Sequence, residues 1–164
     1  MNTSLKNKFQ DPKFCVSITA PNTSKLISNV NSAFKSGAHL AEVRLDSLNS
    51  FSLDKIQALS DVHKNKLILT FRGKRQGGLS SISESDRLQI LIELLDIKNS
   101  IKDIESDTFN KNYSLFKNEK NLIISWHNFK YTPSTNSLER LIKNISSKLT
   151  HPKQIIKIVT YANS

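Results

Sequence analysis

The chain has 164 residues, 37% of them hydrophobic, with 24 basic and 14 acidic residues and a formal net charge of +10. This length suits a single domain with a hydrophobic core, and the low content of four Gly and four Pro excludes collagen-like and linker-like proteins. The basic residues are scattered without long runs, so a solvated basic surface is favoured over a nucleic-acid partner.

Cysteine content and hydropathy indicate where the protein works. Cys15 is the single cysteine, so no disulfide forms within the chain and a reducing cytoplasm is the expected setting. The apolar neighbours Phe14 and Val16 predict a buried, inert thiol. No segment reaches the roughly 20 apolar residues of a transmembrane helix, and the start of the chain lacks the apolar core of a signal peptide. We predict a cytoplasmic protein without a membrane partner.

Six short runs rich in β-branched residues alternate with amphipathic segments along the chain. The predicted strands are Phe14–Ala20, His39–Leu45, Lys66–Arg72, Ser100–Glu105, Asn121–His127 and Gln154–Tyr161. Asn22, Ser52 and Ser83 stand where side chains that cap helix N-termini are expected. Strands joined by helical crossovers run parallel, so the sequence predicts an α/β fold, either a doubly wound sheet or a (β/α) barrel.

The segment after the first predicted strand argues against a nucleotide-binding doubly wound sheet. It reads Ser17-Ile18-Thr19-Ala20-Pro21-Asn22 and contains no glycine-rich phosphate-binding motif. Reactive side chains instead stand at or near the carboxyl ends of five of the six predicted strands. Barrel enzymes assemble their active sites at these ends.

Charged residues end the second and third predicted strands. Glu42, Arg44 and Asp46 share one face of the second strand, because side chains alternate along a strand. A solvated charged face is the alternative interpretation. Arg72 ends an otherwise apolar third strand and precedes Gly77-Gly78, which suits either a loop crossing a binding site or a plain surface turn.

The fourth and fifth predicted strands end in titratable groups. The fourth ends Asp103-Ile104-Glu105, for which a structural ion pair or a helix cap is the ordinary interpretation. The fifth places His127 at the end of an apolar run. Histidine is the usual general acid and base near neutral pH, and a hydrogen-bonded structural histidine is the alternative.

The sixth predicted strand carries Lys157 between large apolar neighbours. Burial and nearby cations would disfavour its ammonium form and leave free amine to attack a carbonyl and form an imine. An edge-strand lysine that prevents aggregation is the alternative. With Arg44, Arg72 and His127 on neighbouring strands, imine chemistry is favoured.

Several segments, taken in order, form a recognisable pattern. They are Val16-Ser17-Ile18, Glu42-Val43-Arg44-Leu45-Asp46, Thr70-Phe71-Arg72 with Gln76-Gly77-Gly78, Ser125-Trp126-His127-Asn128-Phe129 with Thr132-Pro133, and Ile156-Lys157-Ile158. With these segments the chain resembles the type I 3-dehydroquinate dehydratases. The resemblance implies a (β/α)8 TIM barrel, of which the single domain 1–164 would hold about six of eight βα units and be incomplete at its C-terminus.

The resemblance also implies a reaction. Lys157 would form an imine with the ketone of 3-dehydroquinate, and His127 would move the protons, yielding 3-dehydroshikimate and water in the shikimate pathway. It implies no metal or external cofactor, and a homodimer is the expected assembly, since family members are often dimers. The residues that match substrate-binding positions are Ser17, Glu42, Arg44 and Arg72.

One position departs from the pattern, and other functions stay open. Gln76 stands where some family members carry a glutamate near the catalytic histidine. A neutral amide orients an imidazole but does not stabilise its cation by charge, so Glu105 is expected to supply that help. The alternatives are an inactive barrel fragment or interaction domain, and another class I aldolase-like Schiff-base enzyme, against which His127 argues.

Overall fold

The computed structural model describes residues 13–162, which form a parallel sheet with helices packed on one face. The strands are β1 (Cys15–Ile18), β2 (Leu40–Arg44), β3 (Leu67–Thr70), β4 (Ile101–Glu105), β5 (Leu122–Asn128) and β6 (Ile155–Thr160). The helices are α1 (Thr23–Lys35), α2 (Leu53–Val62), α3 (Glu84–Leu95), α4 (Ser106–Lys111), α5 (Tyr113–Phe116) and α6 (Thr135–Ser146). Single 3₁₀ turns, Leu45–Ser47 and Lys74–Gln76, follow β2 and β3.

The predicted helix starts lie where the sequence placed them. The Asn22 side-chain oxygen accepts the N–H of Lys25 at 2.9 Å, and the Ser83 hydroxyl oxygen accepts the N–H of Asp86 at 3.1 Å. Each bond satisfies a backbone donor that the first helical turn leaves without a partner. Ser52 occupies the N-cap of α2 without a side-chain capping bond.

The strand order distinguishes the two predicted architectures. Strands that follow one another in sequence pair in parallel throughout, in the order β1-β2-β3-β4-β5-β6, whereas a doubly wound sheet reverses its order at a switch point. Neighbouring strands lie about 4.8 Å apart, so a flat sheet would separate β2 from β6 by roughly 19 Å. Yet Lys157 Nζ lies 3.5 Å from Glu42 Oε1. The sheet therefore curls as a barrel wall, and the predicted TIM-barrel type of α/β fold is confirmed.

The two faces of the curled sheet differ in character. On the outer face, strand residues such as Leu69 and Ile104 are buried in one hydrophobic core with Leu26, Leu91 and Phe109 from the helices. Burying each large side chain of this kind stabilises the fold by about 1.5–3 kcal/mol. The inner face begins with apolar residues in register, and it becomes polar towards the carboxyl ends of the strands.

Cys15 corrects one expectation from sequence. Its side chain is exposed, as are those of Phe14 and Val16. Within residues 13–162, β1 pairs with β2 alone and forms an edge of the sheet, so apolar neighbours in sequence do not enclose the thiol. The predicted burial of Cys15 was wrong.

Candidate functional site

A polar layer on the inner face gathers side chains from five consecutive strands. The strand register pairs Thr70 with Asp103 and Ser125 with Lys157. The Thr70 hydroxyl donates to Glu42 Oε1 at 3.1 Å, which brings β2 into the same layer. Because side chains alternate along each strand, these five residues face inwards together. Polar residues near the ends of apolar strands thus build one cluster near the carboxyl edge of the sheet.

Lys157 reaches into this cluster with its amine. Nζ lies 3.2 Å from Asp103 Oδ2 and 3.5 Å from Glu42 Oε1, and the side chain remains 33% exposed. Its direct charged partners are carboxylates, and the cation Arg72 shares both of them. The amine is held in place and still open to a ligand from the carboxyl edge.

Arg72 is the buried cation of the cluster. Its guanidinium donates to Ser125 Oγ at 2.7 Å and lies 2.9 Å from Asp103 Oδ2. It also lies 3.5 Å from Glu42 Oε1 and 3.6 Å from Glu105 Oε1. Arg72 and Lys157 therefore share the carboxylates of Asp103 and Glu42. A buried guanidinium with this many partners is fixed in position.

The Asp103 carboxylate is fully enclosed, with no exposed side-chain surface. Burial by itself would raise the pKa of Asp103, but the charge and hydrogen bond of Arg72, the charge of Lys157 and the Ser125 hydroxyl hold that pKa below its usual value. The Ser125 hydroxyl donates to Asp103 Oδ1 at 2.5 Å. Asp103 is thus ionised at neutral pH.

His127 lies two residues beyond Ser125, at the end of β5. Its Nδ1 lies 2.9 Å from Gln76 Oε1, and its ring stacks on Phe129 with the centroids 5.8 Å apart. An amide oxygen only accepts, so Nδ1 carries the proton and Nε2 keeps a free lone pair. Burial, and then the positive charges of Arg72 and Lys157, lower the pKa of His127 from 6.5 to about 4. The imidazole is therefore neutral at neutral pH and able to accept a proton.

Arg44 belongs to a second part of the site. Its guanidinium forms a bidentate pair with Asp46, with Nε–Oδ1 and Nη2–Oδ2 distances of 2.9 and 2.8 Å. Asp46 also accepts the backbone N–H groups of Arg72 and Leu79 at 3.2 and 3.0 Å. The Arg44 charge and hydrogen bond, with these two N–H groups, keep the pKa of Asp46 below its usual value although burial opposes them. Asp46 thereby fixes both Arg44 and the loop after β3.

That loop needs its two glycines. Gly77 has a φ of +82°, in the left-handed region that side chains disfavour. A Cβ on Gly78 would lie 2.0 Å from the backbone oxygen of Arg72, which is far inside contact distance. The tight turn carries Gln76 to the imidazole of His127. Of the two sequence interpretations, the loop that crosses the site is the correct one.

Glu105 does not have the role expected of it. Its Oε1 accepts the N–H of Gly73 at 2.7 Å, and its Oε2 lies 2.7 Å from Arg87 Nη1. The described hydrogen bonds of His127 run to Gln76 and not to Glu105. Glu105 therefore anchors the start of the loop after β3. Its pair with Arg87 is the structural ion pair that the sequence suggested as the ordinary interpretation.

Ser17 lies at the margin of the cluster. It pairs in register with Glu42, which places its side chain on the inner face. It is exposed on the edge strand β1, and within residues 13–162 its hydroxyl makes none of the hydrogen bonds that join the other site residues.

Of the six site residues predicted from sequence, the structure joins Glu42, Arg72 and Lys157 directly. It places His127 and Arg44 beside them and Ser17 at the edge.

Asp103 and Ser125 belong to the cluster, although from sequence Asp103 was interpreted only as part of a structural ion pair or helix cap and Ser125 was given no role. Each lies two residues before another residue singled out from sequence, Glu105 and His127. Period-two alternation along the strand puts each on the same face as that neighbour, which was the available signal. Their contact with each other depends on pairing β4 with β5 in the observed register, which the sequence does not state.

A cavity of about 410 Å³ lies on the other side of the loop after β3, against α3 and α4. Its lining includes Arg72, Gln76 and Glu105 but neither Lys157 nor His127. The candidate site is therefore the cluster and not this cavity. Within the described part of the chain, no three His, Cys, Asp or Glu side chains are grouped to hold a metal ion. No helix among residues 13–162 is both long and apolar enough to cross a membrane.

Comparison with known proteins gives consistent results. The sequence model of the family described as type I 3-dehydroquinase matches residues 14–164. A 3-dehydroquinate dehydratase of Pyrococcus abyssi is 33% identical over 132 residues, which is 79% of this chain and 59% of that protein. A 3-dehydroquinate dehydratase of Methanococcus maripaludis C6 is 30% identical over 157 residues, covering 92% of this chain and 67% of that protein. This chain thus spans about three fifths of the length of its Pyrococcus relative.

Solved structures agree on the fold. The crystal structure of the 3-dehydroquinate dehydratase from Aquifex aeolicus VF5 matches with a TM-score of 0.72 at 27% identity, covering 93% of this chain and 68% of that one. A type I 3-dehydroquinate dehydratase from Clostridium difficile matches with a TM-score of 0.76 over 93% of this chain and 64% of that one. At 19% identity the second likeness supports the fold alone.

Proposed function

The chain belongs to the type I 3-dehydroquinase family, and from that premise we propose that it takes part in the dehydration of 3-dehydroquinate to 3-dehydroshikimate, with Lys157 as the imine-forming residue. One observation carries the proposal. A partly exposed lysine amine lies at the carboxyl edge of a parallel sheet and is held by Asp103 and Glu42. The neutral imidazole of His127 lies on the neighbouring strand, two residues beyond the Ser125 that pairs with Lys157.

Imine formation is the first step. The Lys157 ammonium first gives up one proton, and the resulting neutral amine attacks the ketone carbon. A C–N bond forms, the carbonyl electrons move to oxygen, and the oxygen takes up that proton and a second one, which the nitrogen loses after the attack. The nitrogen lone pair then expels that oxygen as water and leaves a protonated C=N bond. The ammonium, with three N–H bonds, becomes an iminium with one, and the two lost hydrogens leave in the water. The positive charge on nitrogen is the same before and after.

His127 moves the proton in the elimination. The iminium draws electrons from the adjacent C–H bond, so Nε2 of His127 removes the C2 proton and leaves an enamine. The enamine electrons then expel the C1 hydroxyl, which takes a proton from the His127 imidazolium and departs as water. The low pKa of His127, about 4, leaves the imidazole unprotonated at neutral pH and makes its imidazolium a ready proton donor.

Substrate binding is assigned to Ser17, Glu42, Arg44 and Arg72. The two guanidiniums suit the carboxylate and hydroxyl groups of 3-dehydroquinate. Arg44 uses Nε and Nη2 for Asp46, which leaves Nη1 outside the described hydrogen bonds and available to a ligand. A cytoplasmic location and a homodimer stay predictions from the sequence.

The experiment is a lysine comparison. Conversion of 3-dehydroquinate is followed by the ultraviolet absorbance of the conjugated product, in the wild type and in Lys157→Met and Lys153→Met. Lys153 is the matched control, since it is an exposed lysine close in sequence and outside the cluster. The proposal expects loss of turnover in Lys157→Met alone. Equal turnover in Lys157→Met and the wild type would overturn it.

A further inference from the structure

The Asp103 carboxylate touches the amine that the proposed reaction uses, yet the resemblance to the family gives it no role. Its Oδ2 lies 3.2 Å from Lys157 Nζ and 2.9 Å from Arg72 Nη2, while Oδ1 accepts the Ser125 hydroxyl. A carboxylate with no exposed surface that contacts a partly exposed amine is more than a surface ion pair.

We infer that Asp103 is the counter-ion of the Lys157 nitrogen, fixing the amine for attack and keeping the iminium protonated during proton removal. The inference rests on the proposed function, because it concerns the same nitrogen. It adds a residue that contacts the reacting atom.

Charge conservation supports this role. The nitrogen is cationic as the resting ammonium and again as the iminium, so a fixed carboxylate stabilises both. The states that it disfavours are the neutral ones, namely the free amine and a deprotonated imine. A neutral imine is a weak electron sink, so a counter-ion that keeps the iminium protonated preserves the acidity of the C2–H bond.

Asp103 suits the role better than Glu42 does. Its side chain has no exposed surface, against 13% for Glu42, and it lies closer to Nζ, at 3.2 Å against 3.5 Å. Charges interact more strongly where water is excluded. Two donors other than Lys157 fix Asp103, since Ser125 donates to Oδ1 and Arg72 pairs with Oδ2. Asp103 therefore keeps its position when the amine becomes part of a ligand.

Other titratable groups also face this nitrogen. Cys15 on β1 and His127 on β5 lie within reach of the Lys157 charge, Glu42 on β2 and Asp103 on β4 pair with the amine, and Arg72 after β3 shares both carboxylates. Asp103 and Glu42 are the two that contact it. A test must therefore change one carboxylate at a time and keep the cations.

The first test measures reductive trapping against pH. Cyanoborohydride reduces an iminium but not a ketone, so the mass of the chain gives the fraction trapped with 3-dehydroquinate. Asp103→Asn keeps the shape and removes the charge. We expect its trapping midpoint to move to lower pH by roughly one unit, the size of effect typical of an opposite charge at this distance. We also expect its turnover to fall at least about tenfold.

The control is Asp54→Asn, which makes the same change at an exposed carboxylate in α2, outside the cluster. Its trapping midpoint is expected to stay within about 0.3 pH units of the wild type. If the Asp103→Asn midpoint coincides with that of the wild type, the counter-ion role is overturned and the proposed function stands. If the wild type itself is not trapped, the proposed function fails, and this inference fails with it.

A second measurement decides the matter if Asp103→Asn does not fold. Lys157→Met removes the cation instead, so the pKa of Asp103 rises and the stability that its ionised form contributes is lost at higher pH during acidification. We expect the acid-unfolding midpoint of Lys157→Met to lie above that of the wild type, and the difference to persist in a Glu42→Gln background. Coincident midpoints in that background would overturn the contact on which the role depends.

Discussion

At the scale of single residues, His127 carries the clearest prediction. His127→Ala removes the proton-accepting Nε2 but leaves Lys157 with its two carboxylates. Turnover should therefore fall by roughly two to four orders of magnitude, the range of a positioned acid and base. Cyanoborohydride trapping on Lys157 should continue. Near-normal turnover in the variant would end the proton-transfer role of His127.

The low pKa of His127, about 4 against 6.5 for a free imidazole, predicts a pH-dependent contribution to stability. Between those two values the unfolded chain binds a proton at this position and the folded chain does not. Folding is therefore disfavoured progressively as pH falls through that window, and the effect is absent above the upper value. On going from pH 7 to pH 4.5, the wild type should lose more free energy of unfolding in urea than His127→Asn. Equal losses would contradict the assigned pKa.

At the scale of elements, Asp46 links the end of β2 to the loop after β3. An Asn in its place offers one acceptor oxygen where Arg44 and the N–H groups of Arg72 and Leu79 now share two. Asp46→Asn should raise KM about tenfold or more and lower stability by about 1–3 kcal/mol. Steady-state kinetics and thermal unfolding measure the two effects. Asp54→Asn, an exposed change in α2, is the control and should alter neither.

The elements were easier to predict from the sequence than their contacts. Alternation of β-branched runs with amphipathic segments placed all six strands, although β2 and β4 carry charged residues among their apolar ones. The contacts of Asp103 and of Glu105 could not be predicted, because they depend on which strands pair and in what register. The exposure of Cys15 was missed for the same reason, since a strand at an edge looks like any other in sequence.

At the scale of the whole molecule, the helices and the outer sheet face share one core. Phe109 in α4 is fully buried, whereas Leu115 in α5 is 46% exposed. Phe109→Ala should cost roughly 3–5 kcal/mol of stability, because it removes a large ring and leaves a cavity. Leu115→Ala should cost under about 1 kcal/mol, in keeping with an exposed position. Urea denaturation measures both, and similar costs for the two variants would contradict the packing described.

The site itself is a whole-molecule property. Lys157 and Glu42 are 115 residues apart, and they meet because the sheet curls through five strands. The residues that match the family pattern indicated imine chemistry from the sequence alone. The curl of the sheet explains how these residues come into contact. A substitution that flattened the sheet would separate the amine from its carboxylates without changing either group.

The most direct test of the central claim is to trap 3-dehydroquinate on the chain with borohydride and to map the modified peptide by mass spectrometry. Lys157 is predicted to carry the adduct, and Lys157→Met is predicted to carry none, while Lys153→Met should be modified like the wild type. An adduct on any other lysine of an active preparation would contradict the assignment.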